Sequence, residues 1–254
     1  MLDFLEFLTS AQVVTFMLLF VRVTSLFVFL PFFSSEVISV TVKPAIAFYM
    51  SVFLYPMVPL VTFELLPSIV MLAVLMEIVF GFAVGLLLRF AFASIQYAGE
   101  QIAFVMGFSM ATAIDPQSAQ SIPMISNFLN MLAIMAFLLF DGHHLLLLFL
   151  SGTLGTISLG GFVMTDTYFA YTMTEMARVF VMGFVMAFPI IALSLLSDII
   201  FGMIMKTMPS FNLLVIGFPA KIAVSFAVLI AVLGSIIFLF KEEFLRTFNL
   251  LAGI

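Results

Sequence analysis

The length of its apolar runs constrains this chain more than any other sequence feature. Charged residues make up only 8% of the chain, whereas a soluble globular domain carries roughly 25%. The chain therefore lacks the charged side chains needed to cover a water-facing surface. Because about 20 apolar residues suffice for one helical span, the 254 residues predict an all-α, membrane-associated bundle with about six or seven spans. The apolar runs are residues 11–33, 45–63, 69–93, 125–150, 176–205 and 213–240.

Composition and motifs exclude several classes of function. The chain has no cysteine, so disulfides and thiolate metal sites are excluded. Its net charge of −5 provides no basic surface for nucleic acid. Residues 1–10 are acidic and lack the basic region of a cleavable signal peptide, so we expect the first apolar run to act as the insertion signal. The sequence shows no nucleophile elbow, phosphate-binding glycine loop or paired-carboxylate site, which predicts a protein that is not an enzyme and has no cofactor.

Residues 94–124 resemble neither a membrane span nor an ordinary polar loop. Small residues alternate there with phenylalanine and methionine, and the segment is interrupted at Asp115-Pro116 and again at Pro123. Methionine side chains adapt to irregular gaps, and an apolar constriction can close a pore by excluding water. We therefore predict a closable constriction in this segment. The predicted gate residues are Phe104, Met106, Gly107, Phe108, Ser109, Met110, Asp115, Pro116 and Met124.

Helix-breaking residues predict that several apolar runs are kinked or discontinuous. Pro56 and Pro59 predict that a helix in the second run ends or bends there. Gly142 lies in the polar Asp-Gly-His-His sequence that interrupts the fourth run. Gly217 and Pro219 interrupt the last run close to its start.

Gly81 and Gly85 form a G-x-x-x-G pattern in the third run. This spacing lets two helix backbones approach closely in lipid. The pattern is short and common, so a packing face and a chance spacing are both open interpretations.

Charged residues within or at the ends of the apolar runs are the first candidates for chemistry. Each costs about 2.5–3.5 kcal/mol at a helix centre on insertion scales. They either form a proton or ion pathway, or they pair with each other or with partner subunits, or they extend to the membrane interface. Their balanced signs and their scatter over several runs favour pairing. These residues are Arg22, Glu77, Arg89, Asp198 and Lys221.

The distribution of basic residues gives a conflicting topology. With the amino terminus outside, Lys43, Arg89 and Lys206 fall inside, as the positive-inside rule expects. Six spans would also place Lys241 and Arg246 outside, which violates the rule. Either the last run is a hairpin folded at Gly217–Lys221, or the chain does not thread the bilayer in the ordinary way.

His143 and His144 lie beside Asp141, which raises the question of a metal site. Helical metal sites usually space their ligands by three or four residues, whereas adjacent positions point about 100° apart. The chain has no cysteine and no third histidine. We therefore expect no bound metal, and we expect this polar break to kink the helix or to contact a neighbour.

The order of these motifs carries a family resemblance over nearly the whole chain. The chain resembles the FliR family of flagellar export-gate proteins, whose injectisome counterparts are called SctT. Family members often carry a proline and several basic residues after the first run, whereas this chain has VISVTVKP at 37–44. The matching stretches are Arg22 with Pro31, MEIVFGFAVGLLLRFAF at 76–92, residues 98–118, residues 122–150 with their GHH sequence, and MPSFNLLVIGFPAKI at 208–222.

The resemblance implies a non-enzymatic subunit of a type III protein export gate in the bacterial inner membrane, at the flagellar basal body. Such a subunit assembles with FliP-like and FliQ-like subunits into a hetero-oligomeric helical complex surrounded by membrane lipid. A FlhB-like protein lies at the entrance, and unfolded flagellar proteins pass through. The resemblance implies one domain, 1–254, with a FliP-like half (about 1–150) and a FliQ-like helical hairpin (about 151–254). It places a pore plug in residues 104–124 and the hairpin corner at the GFP sequence.

Two rival interpretations are open. A stand-alone ion-coupled permease would use Glu77 and Asp198 as proton carriers. A purely structural subunit would close the helical assembly without gating it.

Overall fold

The computed structural model describes residues 10–29, 39, 41–107, 124–208 and 212–252. Within these residues the chain forms seven α-helices and no strand, so the all-α prediction is confirmed. A 3-10 turn, Tyr55–Met57, follows the second helix, and a π-helical turn, Leu213–Gly217, precedes the last one. The helices are α1 (Ala11–Phe29), α2 (Val42–Leu54), α3 (Pro67–Met106), α4 (Met124–Leu139), α5 (Gly142–Thr156), α6 (Asp166–Thr207) and α7 (Phe218–Ala252).

Four helices in the described part of the chain are long and apolar enough to cross a membrane. They are α1, α3, α6 and the stretch Val215–Leu251, which contains most of α7. The pair α4 and α5 is a fifth candidate if the two helices form one broken span. Length and composition therefore confirm the prediction of a membrane-associated helical bundle.

Spatial contacts divide the chain into two compact units. The first contains the described residues up to 89, residues 141–173 and the end of the chain from 247. The second contains the described residues of 90–140 and 174–246. Each unit draws on both sequence halves that the family resemblance implies, and the functional division into those halves stays a prediction.

In the first unit, α1 packs closely against the amino-terminal part of α3. A Cβ atom added at Gly81 would overlap Ser25, and one added at Gly85 would overlap Phe29. The Ser25 hydroxyl also donates a hydrogen bond to the backbone carbonyl of Glu77, at 3.1 Å. The G-x-x-x-G pattern therefore marks a packing face, where the missing side chains let the two backbones approach.

In the second unit, the carboxy-terminal part of α3 packs against α4 and α6. A Cβ atom at Gly99 would lie 2.5 Å from the Cα of Ser126, and one at Gly183 would lie 2.6 Å from the Tyr97 ring. The Ser126 hydroxyl donates to the Gln96 carbonyl at 3.0 Å. Five aromatic rings in this unit pack against one another, either edge to face or tilted. The rings from α3, α4 and α7 that form this cluster belong to Phe92, Phe137, Phe140, Phe240 and Phe244.

Two predicted helix breaks are confirmed. Helix α2 ends at Leu54, and Pro56 lies in the 3-10 turn that follows it. Helix α4 ends at Leu139 and α5 begins at Gly142. Between them Asp141 has a φ of 58°, a left-handed conformation that ends a helical path.

The structure corrects two other boundaries. Residues 94–106 are the last part of the 40-residue helix α3, whereas the sequence predicted a separate flexible segment beginning at 94. Small residues such as Gly99 serve close helix packing here instead of backbone flexibility. The chain also does not fold back at Gly217–Lys221, because the π-helical turn passes directly into α7. Pro219 is the second residue of α7, directly after this π-helical turn, and its missing backbone N–H removes one donor at the junction.

Candidate functional site

The structure describes both flanks of the predicted gate. Phe104, Met106 and Gly107 end α3, and Met124 begins α4. Residues 108–123 connect these flanks and lie outside the described residues. The predicted gate residues Phe108, Ser109, Met110, Asp115 and Pro116 are among them.

The flank on α3 is firmly held in the second unit. The Ser194 hydroxyl of α6 donates to the carbonyl of Val105 at 2.8 Å. Met106 is completely buried, whereas Phe104 is 66% exposed. Gly107 then adopts a φ of 86°, and its N–H donates to the Phe104 carbonyl at 3.1 Å. A glycine in this conformation is a common helix terminator, so the segment leaves a well-anchored helix end.

These positions separate the predicted gate residues into two kinds. Met106 belongs to the core of its unit, so in this arrangement it anchors the segment and does not face outward. Phe104 and Met124 are exposed apolar side chains on the two flanks, at 66% and 65%. Their role in closing a pore stays a prediction.

Arg22 and Glu77 form a fully buried ion pair that also binds a loop. Arg22 Nε lies 2.5 Å from Glu77 Oε2, and Arg22 Nη2 donates a hydrogen bond to Glu77 Oε1 at 2.8 Å. The guanidinium group also donates to the carbonyls of Ile157 and Ser158, at 3.0 and 3.2 Å. The Gly160 N–H donates to Glu77 Oε1 at 2.6 Å. We call this arrangement the Arg22–Glu77 clamp, because it ties the loop between α5 and α6 to α1 and α3.

Side chains packed around the clamp exclude solvent from the charged groups of Arg22 and Glu77. The Phe80 ring lies under the guanidinium group, with 4.9 Å from Arg22 Cζ to the ring centroid. Gly160 has a φ of 75°, and a Cβ atom there would meet Ala73. A side chain at this position would therefore strain the backbone and push the loop off the clamp.

The other predicted intramembrane charges include a second ion pair. Lys221 Nζ lies 2.8 and 2.9 Å from the two carboxylate oxygens of Asp198. The lysine side chain is only 9% exposed, whereas that of Asp198 is 53% exposed. Arg89 is exposed on α3. The pairing interpretation is therefore confirmed for Arg22 with Glu77 and for Asp198 with Lys221.

Sequence reasoning missed a charge network that joins α6 to α7 in the second unit. Arg178 Nε lies 2.6 Å from Glu243 Oε1, and Arg246 Nη2 lies 3.2 Å from the same oxygen. Arg246 also pairs with Glu175. Residues further along α6 pair with residues earlier on α7, so the two helices are antiparallel here. The paired residues lie at nearly equal sequence distances before and after the connection at 208–212. A search for opposite charges at such positions would have revealed this arrangement.

The polar break at the start of α5 differs from its prediction in one respect. The imidazole centroids of His143 and His144 lie only 4.2 Å apart, so the expectation that adjacent positions keep the rings apart is wrong. His144 Nδ1 lies 3.2 Å from Asp141 Oδ1, and the ligand atoms of all three residues lie within 4.8 Å of one another. Asp141 and His144 are exposed, and such exposed groups often occur without a metal. The expected absence of a metal stays a prediction.

Comparison with known proteins gives consistent matches over nearly the whole chain. A sequence model of the family described as bacterial export proteins, family 1, matches residues 13–247. The flagellar biosynthetic protein FliR of Escherichia coli (strain K12) is 30% identical over 233 residues, which cover 92% of this chain and 89% of that protein. FliR of Bacillus subtilis (strain 168) is 31% identical, with 94% and 93% covered. FliR of Pectobacterium carotovorum is 30% identical, with 92% and 90% covered.

Proposed function

Because the chain belongs to the bacterial export proteins, family 1, we propose that it is a non-enzymatic subunit of the flagellar protein export gate in the bacterial inner membrane. The observation that carries this proposal is the end-to-end match, which includes the helices on both sides of the candidate gate. The similar proteins are named as flagellar biosynthetic proteins, which favours a flagellum over an injectisome.

Within that gate, residues 104–124 close the channel when no substrate is present. Support comes from the rigid base of the segment, where Ser194 holds the last turn of α3 and Gly99 packs on Ser126 of α4. Exposed Phe104 and Met124 place apolar side chains at both ends. Soft apolar side chains exclude water and ions, and they yield to a passing unfolded chain because they make no directional bonds with it.

The proposed partners are FliP-like and FliQ-like subunits, with a FlhB-like protein at the entrance. Large apolar side chains on α6 are exposed at helical spacing over about 50 Å, at 1.5 Å per residue. Hydrocarbon covers about 30 Å of a helix. Neighbouring protein therefore has to cover the remainder. The exposed residues are Phe169, Met173, Met176, Phe180, Phe184, Phe188, Leu195, Ile199 and Met203.

The geometry argues against the rival permease. A proton carrier must alternate between contact with one side of the membrane and contact with the other. Glu77 is completely buried and accepts hydrogen bonds from Arg22 and Gly160, so its carboxylate is held in one place. Asp198 is bound through both oxygens to Lys221.

Deletion of residues 108–112 tests the gate, since it shortens the segment and leaves the buried Met106 in place. The variant is produced with its neighbouring flagellar gene products, and both ion leakage across the cell membrane and the mass of the purified complex are measured. We expect an assembled complex of unchanged mass that leaks ions. Met131→Ala on α4 is the control, because it removes an exposed methionine outside the segment.

Three results discriminate the interpretations. An assembled complex with wild-type conductance contradicts a gating role for this segment. Loss of assembly instead supports the purely structural subunit. A stable chain that purifies without partners and carries substrate flux in liposomes supports the permease.

A further inference from the structure

The first unit contains a cavity that the gate proposal does not use. Its volume is about 490 Å³, and it lies among α3, α5, the start of α6 and the end of α7. Phe80, Val84 and Leu251 are buried at its floor. The aromatic rings of Phe149 and Phe162 complete the walls. Most of the lining is hydrocarbon, and its polar part includes the hydroxyl groups of Thr153, Thr156 and Tyr168.

The hydroxyl groups in the lining are already satisfied. Thr153 and Thr156 each donate to a carbonyl of their own helix, at 2.7 and 3.4 Å. The Tyr168 hydroxyl donates to the Ala83 carbonyl at 2.5 Å. Because these donors are engaged, the cavity offers little to recognise a polar ligand. Its chemistry therefore selects an apolar occupant.

The mouth of the cavity opens along one face of α5. Leu148, Gly152 and Thr156 are exposed at successive i, i+4 positions, and all three line the cavity. A Cβ atom at Gly152 would meet no atom within 4 Å. A side chain at this position would enter open space at the mouth without strain.

We propose that this cavity holds one acyl chain of a membrane phospholipid. A cavity of about 150 Å³ accommodates benzene, so a single aromatic side chain from a partner protein would fill only about a third of this one. A flexible hydrocarbon chain can adapt its shape to an apolar cavity of this volume. Three of the lining helices, α3, α6 and α7, are each long and apolar enough to cross a bilayer, and α5 qualifies only as a bent pair with α4. Phospholipid is the abundant source of hydrocarbon chains in a bilayer.

A single-tryptophan quenching experiment tests this assignment, because the chain contains no tryptophan of its own. Phe149→Trp places the reporter in the cavity wall, and Phe180→Trp, on the exposed side of α6, is the control reporter. The full-length chain in detergent is titrated with phosphatidylcholine that carries a dibrominated stearoyl chain. We expect saturable quenching at Phe149→Trp and weak, non-saturating quenching at Phe180→Trp.

Filling the mouth should release the lipid. Gly152→Leu places an isobutyl group in the mouth, where the acyl chain would lie, so we expect the saturable quenching at Phe149→Trp to be lost over the same range of lipid concentration. Gly155→Leu is the matched control: it is on the same helix, has equally open space, and does not line the cavity. It should leave the affinity within about twofold, since it removes no contact with the chain.

The outcomes separate a lipid from other occupants. Equal affinity in the two leucine variants, or quenching that does not saturate at Phe149→Trp, overturns the proposal. If Gly152→Leu does not fold, the lipid titration of the Phe149→Trp variant, with Gly152 unchanged, decides alone. Native mass spectrometry of the assembled complex gives a second criterion: we expect one phospholipid fewer per copy of the Gly152→Leu chain. An equal number of phospholipids in both complexes means that protein or empty space occupies the cavity, and it refutes the assignment.

Discussion

Replacing Glu77 with glutamine removes the negative charge of the Arg22–Glu77 clamp and changes little else in shape. Arg22 stays completely buried and loses its counter-charge. The glutamine amide nitrogen is a hydrogen-bond donor, so it cannot accept a hydrogen bond from the guanidinium group as the carboxylate oxygen did. Breaking a buried ion pair by removing one partner costs about 3–5 kcal/mol, so we expect Glu77→Gln to lower the free energy of unfolding by that amount.

Arg22→Met/Glu77→Met separates the ion pair from the loop contacts. Apolar residues of similar volume often replace a buried pair with little loss, so the double variant should be more stable than Glu77→Gln. The carbonyls of Ile157 and Ser158 and the N–H of Gly160 lose their partners, however. Each such group costs about 1–3 kcal/mol if it stays buried, so the loop should open to water.

Two measurements in detergent check both expectations. Denaturant titration gives the free energy of unfolding, and hydrogen exchange followed by mass spectrometry reports on residues 157–163. Glu64→Gln is the control, because it makes the same chemical change at an exposed position of the same unit and should cost less than about 0.5 kcal/mol. If Glu77→Gln costs no more than Glu64→Gln, the clamp does not stabilise the fold. Unchanged exchange in the double variant would show that the loop is held by other contacts.

Three further experiments, with five substitutions in all, probe the packing and the second ion pair. Gly81→Leu should lower the melting temperature sharply, because a side chain there pushes α1 from α3, whereas Gly234→Ala, in open space on α7, should raise stability by about 0.5–1 kcal/mol. Phe92→Ala should cost about 3–5 kcal/mol in denaturant titrations, since it empties the centre of the aromatic cluster; a smaller cost than 1 kcal/mol would mean that the cluster collapses to fill the space. Asp198→Asn should destabilise the chain more than Lys221→Met, because the lysine is buried and the aspartate can be hydrated; the reverse order of melting temperatures would contradict this reasoning.

The sequence predicted those features that depend on local composition or spacing. Apolar run length predicted the helical class. The spacing of Gly81 and Gly85 left a packing face and a chance spacing open, and the structure shows a packing face against α1. The polar break at Gly142 was also predicted, because glycine and adjacent polar residues interrupt an apolar helix locally. These signals are contained within single stretches of about 20 residues, the length of one span, so no tertiary information is needed to find them.

The features that were missed depend on what a residue packs against. Small residues near Gly99 suggested flexibility, but the helix continues because α4 lies directly against that glycine. Met106 was grouped with the gate on composition, yet the unit buries it. The pairs that join α6 to α7, Arg178 with Glu243 and Arg246 with Glu175, are 65 and 71 residues apart in sequence, a separation that no local pattern reports.

The charge network also bears on the topology conflict. The positive-inside rule concerns basic residues that stay free in short loops near the ends of ordinary spans. Arg246 is not a free residue of a short loop, because it is paired with Glu175 and Glu243 within the bundle. Helix α6 has 42 residues and is about 63 Å long, roughly twice the thickness of the hydrocarbon layer, so its ends do not mark the membrane surfaces. Counting basic residues at such helix ends therefore does not determine orientation. A chain with helices of this length needs protein around the parts that extend beyond the lipid, as a subunit inside a larger export gate would have.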